Sequence, residues 1–589
     1  MLLSWSAVLL TAIASEESRT QEEAAKVRIL VGLDLSDLGE EDPAAPEPFR
    51  PSSRNFLGDL RRIRELSKDP EVAGLRLVLG EGLDFARTLD LLSALHSFRS
   101  VGKRVFCFAE SLDAPSCMVA SAADFLAVPP SGQILLEGPS IEAIYLKELL
   151  AKVGVEFEVL HVGEYKTAFE EFSRDRMSAE QRESLTAILQ EFYAQLLDTI
   201  GSQRGLSRET VESLFEKVFI TPQEALQARL IDAVLYEDEF NQRLEEQVQG
   251  EVEIDFDYGD PQAPDLMSMF SNPFAMIAEL QKLIEPSEDD LPEGPKVAIV
   301  YATGPIESGE SARGFGGSLS MGSETIALAL DQTYEDDEVK AVVLRVNSPG
   351  GSALASDMIW RAVQRVRTRK PVIASMGDVA ASGGYWILMG CDRILAQPST
   401  ITGSLGVVGA VPNLSQVLAK LGVHVEIVGA GPRTEDLAIL GKGLSPFLRE
   451  NLTRLMQDVY DEFIRKAAAG RKMDPGVVEP IARGRVWTGR DAERLGLVDG
   501  LGGMEEAIAL ACAMGGGLSA RLTPLVELPK APGLLEALEE TMGRISMQGL
   551  TLQSLRELGW SQASAALAAI LRHPHERVHC TLPFLMKLR

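Results

Sequence analysis

The two halves of this 589-residue chain repeat one another. The segment DPEVAGLRLVLGEG at 69–82 parallels DDEVKAVVLRVNSPGG at 336–351. Two longer segments, which begin at Cys107 and Gly154, each recur 268 residues later, and no gap separates the two matches. A register held over that length indicates a tandem duplication, so both halves are expected to adopt the same fold.

Continuous apolar runs alternate with helical stretches in each half. A β-rich run (VRILVGLDL or KVAIVYATG) precedes a helix, and the runs LRLVLG or AVVLRV and RVFCFA or PVIASM follow, separated by a second helix. A helix of small residues and a further short strand come next, and a long helical stretch closes each half, at 178–200 and 445–469. Apolar runs of this kind are typical of strands buried in a parallel sheet. The sequence therefore predicts an α/β fold in tandem.

Composition divides the chain into five predicted parts. They are an apolar leader or truncated membrane anchor at 1–26, a first repeat at 27–250, a linker with an amphipathic helix at 251–295, a second repeat at 296–525, and a mostly helical tail at 526–589. The apolar run at 2–14 is shorter than the roughly 20 residues that span a bilayer. Its last three residues, Ala-Ile-Ala, resemble a cleavage site, but no Lys or Arg precedes it. We expect that the native start lies upstream and that a longer anchor has been clipped.

Charge and cysteine content exclude several classes of function. The net charge of -29 argues against a nucleic-acid partner, because phosphate binding needs basic surfaces. The five cysteines have no metal or redox spacing, and an odd number disfavours a disulfide framework. The end of the tail carries His573, His575, His579 and Cys580, for which an exposed tail is favoured over a metal site because such a cluster has no rigid supporting shell.

Ser382 lies in a setting of unusually small residues. It stands in the sequence AASGG, between an apolar strand candidate and the helix candidate GGYWILMG. The first backbone N–H groups of a helix are unpaired and carry positive partial charge, and small neighbours let a peptide approach closely. The pattern indicates a nucleophile elbow without the G-x-S-x-G string, although a tight turn with no function fits it as well.

A second glycine turn follows a neighbouring strand candidate. RVNSPGGS ends a buried run at Gly350 and Gly351, where a backbone N–H can face a ligand oxygen because no side chain blocks it. We therefore predict that the backbone N–H of either glycine and that of Gly383 form a pair of donors for an oxyanion. Loss of one such donor typically costs about 3 to 4 kcal/mol of transition-state stabilisation.

A serine nucleophile needs a base, and the six histidines of this chain offer none in a suitable loop. His161 and His424 fall in strand-like runs, where a structural role is favoured. A neutral lysine is the remaining common base. Comparison of the two halves favours Lys166 as this base. The counterpart of Lys166 in the second half is Thr434, and the counterpart of Ser382 in the first half is Ala114. Each half therefore lacks the residue that the other retains.

These motifs together resemble the signal peptide peptidase A (protease IV) family in its long, two-repeat form. VGEYKTAFEEFSRDRMS resembles its lysine motif, and RVNSPGGS, SMGDVAASGGYW and PSTITGSLGVVG resemble its catalytic-half motifs, with similarity over about residues 27 to 508. The resemblance implies Ser382 as nucleophile, Lys166 as general base and Ser404 as the hydroxyl that orients the lysine. It also implies a ClpP/crotonase-like spiral fold in each half and a homotetramer.

The activity that the resemblance implies is a serine endopeptidase of the bacterial inner membrane, on its periplasmic face, acting on remnant signal peptides and other short apolar peptides. Membrane association would come through the N-terminus, and the abbreviated leader leaves a soluble periplasmic form open. The chemistry calls for no cofactor or metal. It needs Lys166 uncharged, and bringing a lysine pKa from about 10.4 to 7–8 costs roughly 3–4 kcal/mol. A crotonase-like acyl-CoA enzyme and a non-catalytic scaffold of membrane complexes are the alternatives, but neither accounts for the reciprocal loss of Ser382 and Lys166.

Overall fold

The computed structural model describes residues 28–35, 55–80, 83–248, 252–259, 294–313, 319–437, 442–520, 522–530 and 579–581. The predicted leader and the predicted amphipathic helix of the linker lie outside these residues, as does most of the predicted tail. In the part of the chain that the structure describes, no helix is both long enough and apolar enough to cross a membrane.

The described strands number 24 and are mostly short. They are β1 (Arg28–Asp34), β2 (Val72–Val78), β3 (Arg104–Phe108), β4 (Ser111–Leu112), β5 (Phe125–Val128), β6 (Gln133–Leu135), β7 (Glu156–Val162), β8 (Phe219–Ile220), β9 (Ala233–Val234), β10 (Val252–Asp255), β11 (Lys296–Thr303), β12 (Ile306–Glu307), β13 (Ala312–Arg313), β14 (Leu319–Gly322), β15 (Val339–Ser348), β16 (Gly350–Ser352), β17 (Val372–Ala381), β18 (Arg393–Ala396), β19 (Ile401–Gly403), β20 (Val407–Asn413), β21 (Val486–Thr488), β22 (Gly500–Leu501), β23 (Leu525–Leu528) and β24 (His579–Thr581).

The described α-helices include two of 26 residues, at Ala179–Arg204 and Pro446–Arg471. In chain order the helices are α1 (Phe56–Lys68), α2 (Phe85–Ser100), α3 (Ala114–Ser121), α4 (Lys147–Val153), α5 (Glu170–Ser173), α6 (Ala179–Arg204), α7 (Arg208–Phe215), α8 (Pro222–Gln227), α9 (Glu237–Val248), α10 (Ser323–Glu335), α11 (Ala353–Arg367), α12 (Gly383–Leu388), α13 (Ser415–Lys420), α14 (Pro446–Arg471), α15 (Pro475–Val478), α16 (Gly489–Arg494) and α17 (Met504–Met514).

The described residues form two compact units. The first contains the described residues up to 138 together with 193–259, and the second contains 139–192 together with the described residues from 294 onward. The stretch Pro139–Phe192 belongs to the first repeat in sequence but packs within the second unit. That stretch carries β7 and the predicted lysine, so the second unit holds elements from both repeats.

The main sheets of the two units share a series of six strands in the same order. The first unit has β10-β1-β2-β3-β5-β9, and the second has β23-β11-β15-β17-β18-β22. Every neighbouring pair in both series is parallel. The predictions of a tandem duplication and of buried parallel sheets are therefore confirmed.

Apolar side chains explain why these strands lie inside. Strand β11 is buried from Lys296 to Ala302, as expected for a parallel strand covered on both faces. Helix α11 buries Ala355, Ile359, Val363 and Val366, a spacing that keeps one helical face against the core. Strand β23 lies at the boundary between the second repeat and the predicted tail. It extends this main sheet beside β11.

A second sheet of this unit brings distant segments together. Its order is β13-β14-β12-β16-β24-β20-β7. Strand β7 pairs antiparallel with β20 over seven residues, from Val407 opposite Val162 to Asn413 opposite Glu156. The short strand β24 lies between β16 and β20 and pairs with both. This sheet therefore holds β7, the strand that precedes Lys166, against a strand of the second repeat.

The prediction that His424 lies in a strand is wrong. Its counterpart β7 is a strand because it pairs with β20, whereas residues 422–430 form no strand and do not pair with any described strand. An extended segment without a partner leaves its backbone groups to water, so apolar alternation alone does not make a strand. His161 does lie in β7, as expected.

Candidate active site

Ser382 occupies the turn between β17 and α12. Its backbone has φ 57 and ψ -115, the left-handed region that few residues other than glycine adopt. Its N–H donates to the Gly403 carbonyl (2.8 Å), and its carbonyl accepts from the Trp386 N–H (2.9 Å) in the first turn of α12. Such a backbone costs about 1–3 kcal/mol and persists only where the surroundings determine it, so the direction of the hydroxyl is set by the fold.

Lys166 reaches Ser382 from the other repeat. Its Nζ lies 2.7 Å from Ser382 Oγ, 3.0 Å from Ser404 Oγ and 3.0 Å from the Ser404 carbonyl oxygen. Lys166 is 1% exposed, and both serines are fully buried. The structure therefore brings together the predicted nucleophile, base and orienting hydroxyl within one hydrogen-bonded cluster.

Two glycines give Lys166 the space it occupies. A Cβ on Gly484 would lie 2.5 Å from Lys166 Cβ, and a Cβ on Gly406 would lie 3.1 Å from Lys166 Cδ. Gly484 also has φ +82, and its N–H donates to the Leu405 carbonyl (2.7 Å). Sequence reasoning missed both residues. Gly406 stands in the quoted motif PSTITGSLGVVG, whereas nothing in the sequence around Gly484 pointed to the lysine.

A stack of side chains supports the turn that carries Lys166. The Tyr165 N–H donates to the Arg483 carbonyl (2.9 Å), and the Tyr165 hydroxyl donates to Glu183 (3.0 Å). The guanidinium of Arg485 lies 4.9 Å from the Tyr165 ring and 4.4 Å from the Trp487 ring, and it pairs with Glu183 (2.9 Å). Burial, aided by the hydrogen bond to Glu183, raises the pKa of Tyr165. These contacts hold the lysine segment against the β21 region of the second repeat.

Ser404, like Ser382, has a positive φ and a hydrogen-bonded backbone N–H. It follows β19, has φ 54, and donates its N–H to the Arg485 carbonyl (2.7 Å). Its hydroxyl and carbonyl oxygens both face Lys166 Nζ. This position suits a group that aims the amine, as the family resemblance implies.

The glycines predicted to bind the oxyanion lie close together. A Cβ on Gly383 would lie 3.1 Å from both Gly350 Cα and Gly351 N, so the two turns touch. Gly350 has φ +95, and its N–H donates to Ser348 Oγ (3.2 Å). Gly383 is the first residue of α12, where an N–H lies outside the helical ladder. Two backbone turns therefore lie beside Ser382. One of their donors, the Gly350 N–H, is already hydrogen-bonded to Ser348 Oγ.

Two of the described histidines take other partners. His96 Nε2 lies 2.6 Å from Gln203, and His161 Nδ1 lies 2.9 Å from the Gly163 carbonyl oxygen. His424 is exposed. Within the described ranges, no group of three or more His, Cys, Asp and Glu side chains is placed to hold a metal ion.

Comparison with known proteins identifies the family of this chain. The model of peptidase family S49 matches residues 97–251 and again 364–514. "Protease 4" of Salmonella typhi is 33% identical over 472 residues, which are 78% of this chain and 72% of that protein. "Serine protease SPPA, chloroplastic" of Arabidopsis thaliana is 31% identical over 444 residues, 75% of this chain and 63% of that protein. The "Putative signal peptide peptidase SppA" of Enterococcus faecium is 36% identical over 182 residues, 30% of this chain and 52% of that protein.

The duplicated α/β fold and these matches define a serine peptidase. The two family matches fall in the two halves of the chain, as the repeat requires. The chain belongs to peptidase family S49, and its halves have the ClpP-like fold of that family.

Proposed function

We propose that this peptidase is an endopeptidase whose nucleophile is Ser382 and whose general base is Lys166. The observation that carries the proposal is the 2.7 Å contact between Lys166 Nζ and Ser382 Oγ in a buried site. Burial disfavours the charged ammonium form of a lysine relative to the neutral amine. A lysine must be neutral to act as a base. Ser404 keeps the amine on the side of Ser382.

The reaction proceeds through an acyl-enzyme. Ser382 Oγ bonds to the substrate carbonyl carbon while its proton passes to Lys166 Nζ. The carbonyl oxygen becomes an oxyanion, for which the Gly383 N–H and a donor of the turn at Gly350 and Gly351 are the proposed partners. The C–N bond then breaks, and the leaving amine takes the proton from Lys166. Water next gives a proton to Lys166 and attacks the ester, and Ser382 regains its proton as the acid leaves.

The substrate class that we propose is the extended, short apolar peptide, including cleaved signal peptides. Strand β24 lies antiparallel to β16 and beside β20, which supports binding of an extended substrate backbone at these edges in place of β24. Gly350 and Gly351, which lie in β16, would then align the scissile bond with the oxyanion donors. The name of the Enterococcus faecium relative supports the choice of signal peptides.

The proposal also covers the cellular location and the oligomeric state of the enzyme. We place it at the bacterial inner membrane, facing the periplasm, as a homotetramer, with membrane association through the apolar run near the N-terminus. The net charge of -29 supports peptide rather than nucleic-acid partners.

Hydrolysis of a short fluorogenic apolar peptide tests the proposal. Wild-type protein is expected to cleave it, while Ser382→Ala and Lys166→Met fall to background with unchanged thermal melting. Lys147→Met is the matched control, because Lys147 is an exposed lysine in α4 of the same unit. A Lys166→Met variant with wild-type rates near neutral pH would show that another group is the base. An inert wild-type protein would favour the scaffold alternative.

A further inference from the structure

A tryptophan in the helix that follows the nucleophile is tied to a neighbouring helix by a hydrogen bond. Trp386, in α12, is 2% exposed, and its Nε1 donates to Asp357 Oδ1 of α11 (3.2 Å). The backbone N–H of Trp386 donates to the Ser382 carbonyl (2.9 Å). One residue therefore holds the nucleophile turn through its main chain and contacts α11 through its side chain.

A buried lysine holds Asp357 in turn. Lys466, in α14, is 7% exposed, and its Nζ pairs with Asp357 Oδ1, the oxygen that also accepts from Trp386. Glu462 lies 3.3 Å from the same Nζ, and the Phe463 ring packs against the Trp386 ring with centroids 4.4 Å apart. A buried ammonium requires a charged or polar partner, because water no longer stabilises it. Three helices, α11, α12 and α14, are therefore joined at one carboxylate oxygen.

Two of these helices follow the glycine turns of the candidate site. Helix α11 comes directly after β16 (Gly350–Ser352), and α12 begins at Gly383. A Cβ on Gly383 would lie 2.6 Å from Ser356 Oγ, beside Asp357 in α11, so the two helices begin in close contact. Any shift of α12 against α11 changes the distance between the two turns. The hydrogen bond between Trp386 and Asp357 restricts that shift.

The first repeat, which lacks the nucleophile, has other residue types at these three positions. The 268-residue offset relates α11 and α12 to the first repeat, and the two 26-residue helices α6 and α14 are matched from their first residues. The counterparts carry neither a charge nor a ring: Leu89 for Asp357, Met118 for Trp386 and Thr199 for Lys466. A network that only stabilised the shared fold would be equally useful in both repeats. Its presence in the repeat that carries Ser382 favours a role at the site.

We propose that Asp357 and Trp386 are positioning residues of the peptidase. Through α12 they keep the Gly383 N–H aligned with the donor of the turn at Gly350 and Gly351. The inference rests on the proposed function, because it concerns the oxyanion formed when Ser382 attacks. That charge exists in the transition state and not in the bound substrate, so the contribution is expected in kcat and not in KM.

Trp386→Phe tests the proposal, because it removes the Nε1 donor and keeps a ring against Phe463. In hydrolysis of the fluorogenic apolar peptide, we expect kcat to fall about tenfold and KM to stay near the wild-type value. Complete removal of an oxyanion donor costs more, about 100- to 1,000-fold. A peptidyl aldehyde gives the second readout: its carbonyl carbon bonds to Ser382 Oγ, and its oxygen then lies where the oxyanion forms. Its inhibition constant should rise by about the same factor as kcat falls.

Trp360→Phe is the matched control. Trp360 lies in the same cluster, with Lys466 Nζ 3.9 Å from the centroid of its ring, but its Nε1 has no hydrogen-bond partner among the described residues. The same substitution there should leave kcat and aldehyde inhibition unchanged. Asp357→Ala is the second variant, at a side chain that is 42% exposed. It should lower kcat as Trp386→Phe does, and the double variant should lose no more, because both changes remove the same bond.

Thermal melting of each variant separates positioning from stability. Wild-type kcat in both Trp386→Phe and Asp357→Ala, with or without a lower melting temperature, would overturn the proposal. An equal loss of kcat in Trp360→Phe would also overturn it. Failure of the proposed function gives a different result, since Ser382→Ala would then keep the wild-type rate. Failure of this inference alone leaves Ser382→Ala inactive and Trp386→Phe fully active.

Discussion

Gly484→Ala is expected to disable the enzyme without touching a proposed catalytic atom. The new Cβ would lie 2.5 Å from both Lys166 Cβ and Lys166 N. Carbon atoms in contact normally stand about 3.5–4.0 Å apart, so Lys166 must move by about 1 Å. A displacement of that size in a catalytic group can lower the rate about 100-fold, which corresponds to about 2.7 kcal/mol in the barrier. The edges of β16 and β20 remain in place, so KM should change little.

The control for Gly484→Ala must share its backbone strain. Gly517→Ala provides it, because Gly517 has φ +76 and nothing lies within 4 Å of the position of its Cβ. Both substitutions carry a left-handed penalty of about 1–2 kcal/mol, but only one displaces Lys166. The assay is kcat and KM on an apolar fluorogenic peptide, with thermal melting of each variant. A Gly484→Ala enzyme with wild-type kcat, or an equal loss in Gly517→Ala, would refute the reasoning.

Three further predictions concern Ser404, Glu171 and strand β24. Ser404→Ala removes one hydrogen bond that aims Lys166 and should lower kcat about tenfold with little change in KM, whereas an unchanged kcat would deny Ser404 a positioning role. Burial raises the pKa of Glu171 to about 7 from its ordinary value of 4.5. Between these values the folded state holds a proton that the unfolded state has released, so the free energy of unfolding falls as pH rises through this window. Urea unfolding of Glu171→Gln should show that fall reduced, and an unchanged pH slope would contradict the assignment. A chain ending at Lys530 lacks β24, which occupies the edges proposed for substrate, so its KM for a short peptide should be lower than that of the full chain; an equal or higher KM would show that β24 does not compete.

Much of the fold could be predicted because its determinants are local. The continuous apolar runs required buried parallel strands, and the repeat required that both halves use them in the same order. The turn at Ser382 was also predictable, since small residues must surround a serine held at positive φ between a strand and a helix.

The environment of Lys166 was less accessible to sequence reasoning. Its approach to Ser382 depends on the pairing of β7 with β20, which joins residues about 250 positions apart in the chain. Gly484 and Arg485 contribute from a segment more than 300 positions beyond Lys166. Local patterns do not show such contacts, so the lysine was identified by the reciprocal loss between the repeats and by the resemblance of its segment to the family's lysine motif. The same dependence on a partner explains why apolar alternation around His424 did not produce a strand.

The most direct test of the central claim is to identify which serine becomes acylated. Lys166 Nζ lies within hydrogen-bond distance of the hydroxyls of Ser382 and Ser404, and only the former adjoins the Gly383 N–H. Mass spectrometry after reaction with an activated apolar peptidyl ester should find the acyl group on Ser382 in the wild-type protein and none in Lys166→Met at neutral pH. Acylation of Ser404, or equally fast acylation of Ser382 without Lys166, would contradict the proposed dyad.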